Sequence, residues 1–212
     1  MRKIMKKLSI FRRLFILLFG LSISAQAEDL SYVRYGTENI DGLNIFYREA
    51  GDPSKQAVVL LHGFPTSSHM YRDFLSELGD EFYLIAPDYP GYGYSDKKSV
   101  KEYTYTFDNV AETMNQFFIR RGLNNYVIMI QGFGAPVGFQ LATKHPEKVA
   151  GFIVMNGNIY GEGLVKETIE FLKEELTPEN ETKKMKTDFS LKTLKWQHTH
   201  STRNPKAINP DA

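Results

Sequence analysis

The chain contains no cysteine, which excludes disulfides, thiol nucleophiles and thiolate metal sites. It has one tryptophan and five histidines among 212 residues, so imidazole bases and imidazole metal ligands are scarce. Charge of one sign is also lacking. The 26 basic residues face 25 acidic ones, for a formal net charge of +1. Long hydrophobic runs are absent as well. The most extended, LFILLFGLSIS (14–24), is short for a bilayer span. It lies between the basic stretch MRKIMKKLSIFRR and the small residues of AQA. That order reads as a secretory signal peptide, residues 1–27, cleaved after Ala27. The expectation is an exported, periplasmic or secreted protein with no stable membrane anchor after cleavage.

The leader distorts the charge count. Its ionisable side chains are all basic (Arg2, Lys3, Lys6, Lys7, Arg12 and Arg13), which leaves 20 basic against 25 acidic residues, net −5, in the remaining 185. Nothing in that balance suggests a nucleic acid or an anionic membrane as partner. The length suits one domain with a real core.

Apolar patterning divides the chain into strands and helices. YVRYGTENIDGLNIFYREAGD reads as two strands, 32–39 and 43–49, joined by a turn at Asp41-Gly42. AVVLL (57–61), FYLIA (82–86), YVIMI (126–130) and VAGFIVM (149–155) are continuous apolar runs, the pattern of strands buried on both faces. Helical spacing covers 68–78, 106–121 with Thr106 as cap, and 134–144 with Pro136 in the first turn. Strands alternating with helices predict an α/β fold with a doubly wound, mostly parallel sheet. After Asn158 the chain becomes polar and Lys/Glu-rich, helical in tendency over 161–200, and ends in Pro-containing coil.

Three segments carry the chemistry. HGFPTSSHMYRDFL (62–75) follows the first buried strand, APDYPGYGYSD (86–96) the second, and IQGFGAPVG (130–138) joins a strand to a helix. Their order and spacing resemble the α/β-hydrolase family, and within it the haloalkane dehalogenase and epoxide hydrolase branch. The resemblance implies that 28–158 is the N-terminal part of the hydrolase core. It implies that 159–212 begins a helical cap over a pocket for a small apolar organic substrate or ligand. No cofactor is implied.

In that family the strand-to-helix turn is a nucleophile elbow. Gln131, Phe133, Gly134, Ala135 and Pro136 match it, but the apex, where this branch carries an Asp that attacks carbon and forms an ester, is Gly132. Glycine can form no ester, so no catalytic group is intact there. Glycine does reach the backbone conformation of such an apex easily, so the turn is expected to persist without its chemistry. The resemblance assigns the backbone N–H groups of Phe64 and Phe133 to an oxyanion hole, framed by His62, Gly63, Pro65, Gln131 and Gly134. It also implies a His base and a supporting acid from later strands. The sequence ends before either, so the expected fold is incomplete and its last strand, 149–155, is an unpaired edge that invites association with another chain.

The other candidates have simpler readings. Asp88, Gly91, Gly93 and Asp96 look loop-shaping, with Asp88 accepting from nearby backbone N–H groups. His62 packs or hydrogen-bonds within its loop. His69 and His145 read as helix residues, and Ser68 as a helix cap in preference to a nucleophile, with Ser67 beside it. His198 and His200 lack a third ligand of convincing spacing, so no metal site is expected. A carboxylate or carbonyl ligand held on the elbow N–H groups, without turnover, is the alternative to a degenerate hydrolase.

Overall fold

A computed structural model describes residues 32–174, 177–187, 189–200 and 202–208. The signal peptide reading, 1–27, lies outside them. Among the described residues, no helix is long and apolar enough to cross a membrane.

Six strands form one sheet: β1 (Arg34–Ile40), β2 (Leu43–Ala50), β3 (Ala57–Leu61), β4 (Tyr83–Pro87), β5 (Tyr126–Gln131) and β6 (Val149–Met155). Their spatial order is β1-β2-β4-β3-β5-β6. The β1–β2 hairpin adds antiparallel to β4, and the other pairings are parallel. The hairpin turns at Asp41-Gly42, both in the left-handed region, as a two-residue loop between twisted strands requires.

Helices α1 (Arg72–Leu78), α2 (Phe107–Arg120) and α3 (Gly134–Lys144) cover the sheet. Alternate side chains of each central strand serve two cores. Val59, Leu61, Ile128 and Ile130 pack with Met114, Phe117 and Phe118 of α2 and Val137 and Leu141 of α3. Val58, Leu60, Leu84 and Met129 pack with Leu75 of α1 and with Tyr71. Burial on both faces is why these strands carry no polar alternation. Beyond β6, α4 (Lys166–Lys173), α5 (Pro178–Thr187) and α6 (Leu191–Thr199) make up the polar C-terminal segment.

Two expectations need correction. Residues 149–155 form β6 at the sheet edge, where the resemblance placed them, but the burial on both faces read from their apolar run is not found: the strand is only partly covered, with Ile153 and Val154 exposed. An apolar run alone does not separate a central strand from an edge. The single helix expected over 68–78 is a short 3-10 turn, Ser68–Tyr71, followed by α1. Its cap is Ser67, whose Oγ accepts from the His69 N–H at 3.3 Å, and not Ser68, which is buried.

At the far end of β2, Glu49 joins three elements. Its carboxylate accepts from Arg121 at 2.8 Å, from Tyr83 Oη at 2.5 Å and from Arg34 Nε at 3.5 Å. The Arg121 guanidinium also lies 4.7 Å from the Tyr47 ring centroid. Burial, followed by the bond to Glu49, pushes the Tyr83 phenol up to about 12, so it stays a donor at neutral pH. Removing the carboxylate strands a half-buried guanidinium. Glu49→Leu is therefore expected to lower unfolding free energy by about 2 kcal/mol in urea titration, and Arg34→Ala by under about 1 kcal/mol because its pair is long and partly exposed.

Candidate active site

The C-terminal ends of β3, β4 and β5 meet at one end of the sheet, where open α/β sheets carry their sites. β5 runs through Gln131 into Gly132, and α3 starts two residues later. Gly132 has φ +50°, the left-handed region that favours glycine. A Cβ built there would meet only the Gly63 Cα, at an ordinary 3.6 Å. The apex therefore has space for a side chain.

The flanking glycines are held by close approach. A Cβ at Gly134 would lie 2.3 Å from the Leu61 carbonyl oxygen, and one at Gly63 would lie 2.1 Å from Gln131 Oε1. Gly63 is thus held by close approach to Gln131, whose backbone oxygen would also lie 2.9 Å from that Cβ. Pro65 follows a cis peptide bond from Phe64. Among the described residues, no hydrogen bond donated by the backbone N–H of Phe64 or Phe133 is seen.

Aromatic rings roof this end. The Phe64 and Phe133 centroids lie 5.6 Å apart, Phe107 meets Phe133 edge-on at 5.4 Å, and Phe189 of the C-terminal segment meets Phe64 edge-on at 5.4 Å. Phe107 and Phe189 were not legible as site residues. Phe107 sits in the apolar stripe of α2 and reads as core, yet it is exposed at 41% and turned to the elbow.

His62 is fully buried. Its Nε2 accepts from the Tyr89 N–H at 3.2 Å, so Nδ1 carries the proton and donates to the Gly63 carbonyl at 3.0 Å. Tyr89 and Tyr92 pack on the ring, 4.1 and 5.2 Å between centroids. Burial pushes its pKa below the usual imidazole value. With both nitrogens engaged and no exposure, this ring holds the loop and offers no base. Asp88 is also buried, and its carboxylate accepts from the Ser68 and Tyr94 N–H groups at 2.7 and 2.9 Å.

The remaining histidines are dispersed. His145 ends α3, 3.8 Å from Glu147. His198 lies on α6, where its Nδ1 meets the Leu194 carbonyl at 2.8 Å, and His200 stacks on Trp196. No cluster of three metal-ligating side chains occurs among the described residues. A surface concavity of about 480 Å³ lies between the β1–β2 turn and α2 and takes no residue from the elbow.

A family described as alpha/beta hydrolase fold matches residues 56–196. An uncharacterized hydrolase of Saccharomyces cerevisiae is 40% identical over 124 residues, 58% of this chain and 42% of its own length. Haloalkane dehalogenase 2 of Mycobacterium tuberculosis is 35% identical over 99 residues, 47% of this chain and 34% of its own. The crystal structure of haloalkane dehalogenase DatA from Agrobacterium tumefaciens superposes with a TM-score of 0.67 at 26% identity, covering 82% of this chain and 59% of that one. The chain thus spans less than half the length of these two curated relatives.

Two outcomes test the site. Gly132→Asp is expected to fold and to lose about 1 kcal/mol, the strain of a side chain at positive φ, whereas Gly134→Ala loses about 3 kcal/mol through its clash with Leu61. Chemical denaturation of both variants checks the order. Because the folded-state pKa of His62 is depressed, its burial stabilises fully above about pH 6.5 and that contribution fades as pH falls and the unfolded chain takes the proton. Melting temperature is therefore expected to drop more between pH 6.5 and 5 in the unaltered protein than in His62→Gln.

Proposed function

The chain belongs to the alpha/beta hydrolase fold family, and from that premise we propose that it is a haloalkane dehalogenase-type protein that retains the ligand-binding framework but does not form the covalent ester. One observation carries this reading: the elbow is intact in backbone, and its apex is Gly132 at φ +50°. An alkyl-enzyme ester needs a carboxylate oxygen that attacks carbon as the halide or epoxide oxygen leaves. No atom at position 132 can do this. The neighbouring hydroxyls are not substitutes, since Ser67 caps the 3-10 turn and Ser68 is buried against Arg48.

What remains suits binding. Phe64, Phe107, Phe133 and Phe189 offer apolar walls, and the Phe64 and Phe133 N–H groups are available for an oxygen acceptor. A second reading, favoured by those two unpaired donors, is a non-catalytic protein that holds a small carbonyl or carboxylate compound on them. The N-terminal pattern of residues 1–27 supports an exported location for either role.

Purified protein incubated with 1-bromobutane or styrene oxide is expected to release no bromide and no diol above a buffer blank. A ligand that occupies the elbow end is expected to raise the melting temperature, by an amount equivalent to about 2.7 kcal/mol at a hundred times its Kd. Sustained bromide or diol release by the unaltered chain defeats the proposal. Stabilisation by a carboxylate such as butyrate, but not by 1-bromobutane, selects the second reading.

A further inference from the structure

A smaller concavity opens at the same end of the sheet. Its volume is about 420 Å³, and Arg48, Ser67, His69, Gly93 and Tyr94 line it. Three segments converge there: β2, the loop after β3 and the Gly-rich loop after β4. Arg48 is 94% buried. Its guanidinium faces the rings of Phe46, Tyr35 and Tyr94, at 5.0, 5.7 and 5.9 Å from their centroids. Among the described residues it donates one hydrogen bond, to Ser68 Oγ.

A buried arginine is normally neutralised by a carboxylate. Here, among the described residues, Arg48 forms no ion pair, although seven pairs form elsewhere. Asp88 is linked to it only through Ser68, and its oxygens are taken by backbone N–H groups. The ring faces compensate part of the desolvated charge. None of the Arg48 nitrogens is among the buried polar atoms left without a partner, so its remaining donors keep solvent contact, and the concavity that Arg48 lines supplies it. The Ser67 hydroxyl accepts from His69 N–H and keeps its own proton free to donate. No acidic side chain lines the space.

We propose that this concavity binds a small oxyanion of the phosphate or sulfate class. The Arg48 fork is the principal donor, and Ser67 and His69 complete the set. The volume exceeds that of one bare oxyanion and leaves space for a substituent beside the exposed Tyr94 ring. The site shares no residue with the elbow, so the proposal stands whatever the elbow binds.

The test is isothermal calorimetry of the full chain with inorganic phosphate and with sulfate, against chloride at matched ionic strength. Saturable binding of either oxyanion above the chloride control is expected. His69→Ala, which leaves Arg48 and the Ser67 cap in place, is expected to weaken it roughly tenfold, and Arg48→Lys to weaken it further by removing the fork. Circular dichroism establishes that each variant is folded. Absence of saturable binding above chloride overturns the proposal. So does an affinity unchanged in folded His69→Ala, which would put the anion elsewhere on the surface.

Discussion

The contact on which the rest depends is backbone against backbone. At Gly134 the first turn of α3 lies so close to the end of β3 that a single methyl group would meet the Leu61 carbonyl at 2.3 Å. That approach lets Val137 and Leu141 reach the core shared with α2, and it sets the direction in which β5 leaves the sheet. Gly63 repeats the device from the opposite side, against Gln131. None of this packing uses a side chain at position 132. The geometry of this turn is thus separate from whatever side chain its apex carries, and the turn keeps its shape with glycine there.

The same separation explains what was legible in the sequence. The central strands were clear because burial on both faces removes polar alternation, and AVVLL and VAGFIVM were bounded correctly at 57–61 and 149–155. The elbow was clear because the order of strand, small residues and helix is local. The burial of VAGFIVM was not, since whether an apolar strand is covered depends on neighbours that its own residues do not specify. Arg48 was missed for a related reason. In LNIFYREA it reads as an ordinary charged residue of a hairpin strand, and only the cross-strand pairing with Tyr35 and the return of the loop carrying Tyr94 close the rings around it. Long-range contacts of this kind have no sequence period.

Charge is handled differently at the two ends of the sheet. At the far end Glu49 accepts from Arg121, Arg34 and Tyr83, although the buried Arg121 Nε is left without a partner. This end is a clasp: it ties the hairpin to β4 and to the residue that closes α2. At the near end the polar groups are spent on the loops themselves. His62 uses both nitrogens to hold the chain between β3 and β4, and Asp88 uses both oxygens to hold two backbone N–H groups.

The near end carries the N-terminus of α3, the free N–H groups of Phe64 and Phe133, and the Arg48 guanidinium. Among the described residues its buried carboxylate is Asp88, each of whose oxygens already accepts a hydrogen bond. A carboxylate at the apex would stand in front of the helix N-terminus and offset this field. With glycine there, no side chain provides that offset, and the Phe64 and Phe133 N–H groups, which donate to nothing among the described residues, are left to whatever acceptor the solvent or a ligand supplies.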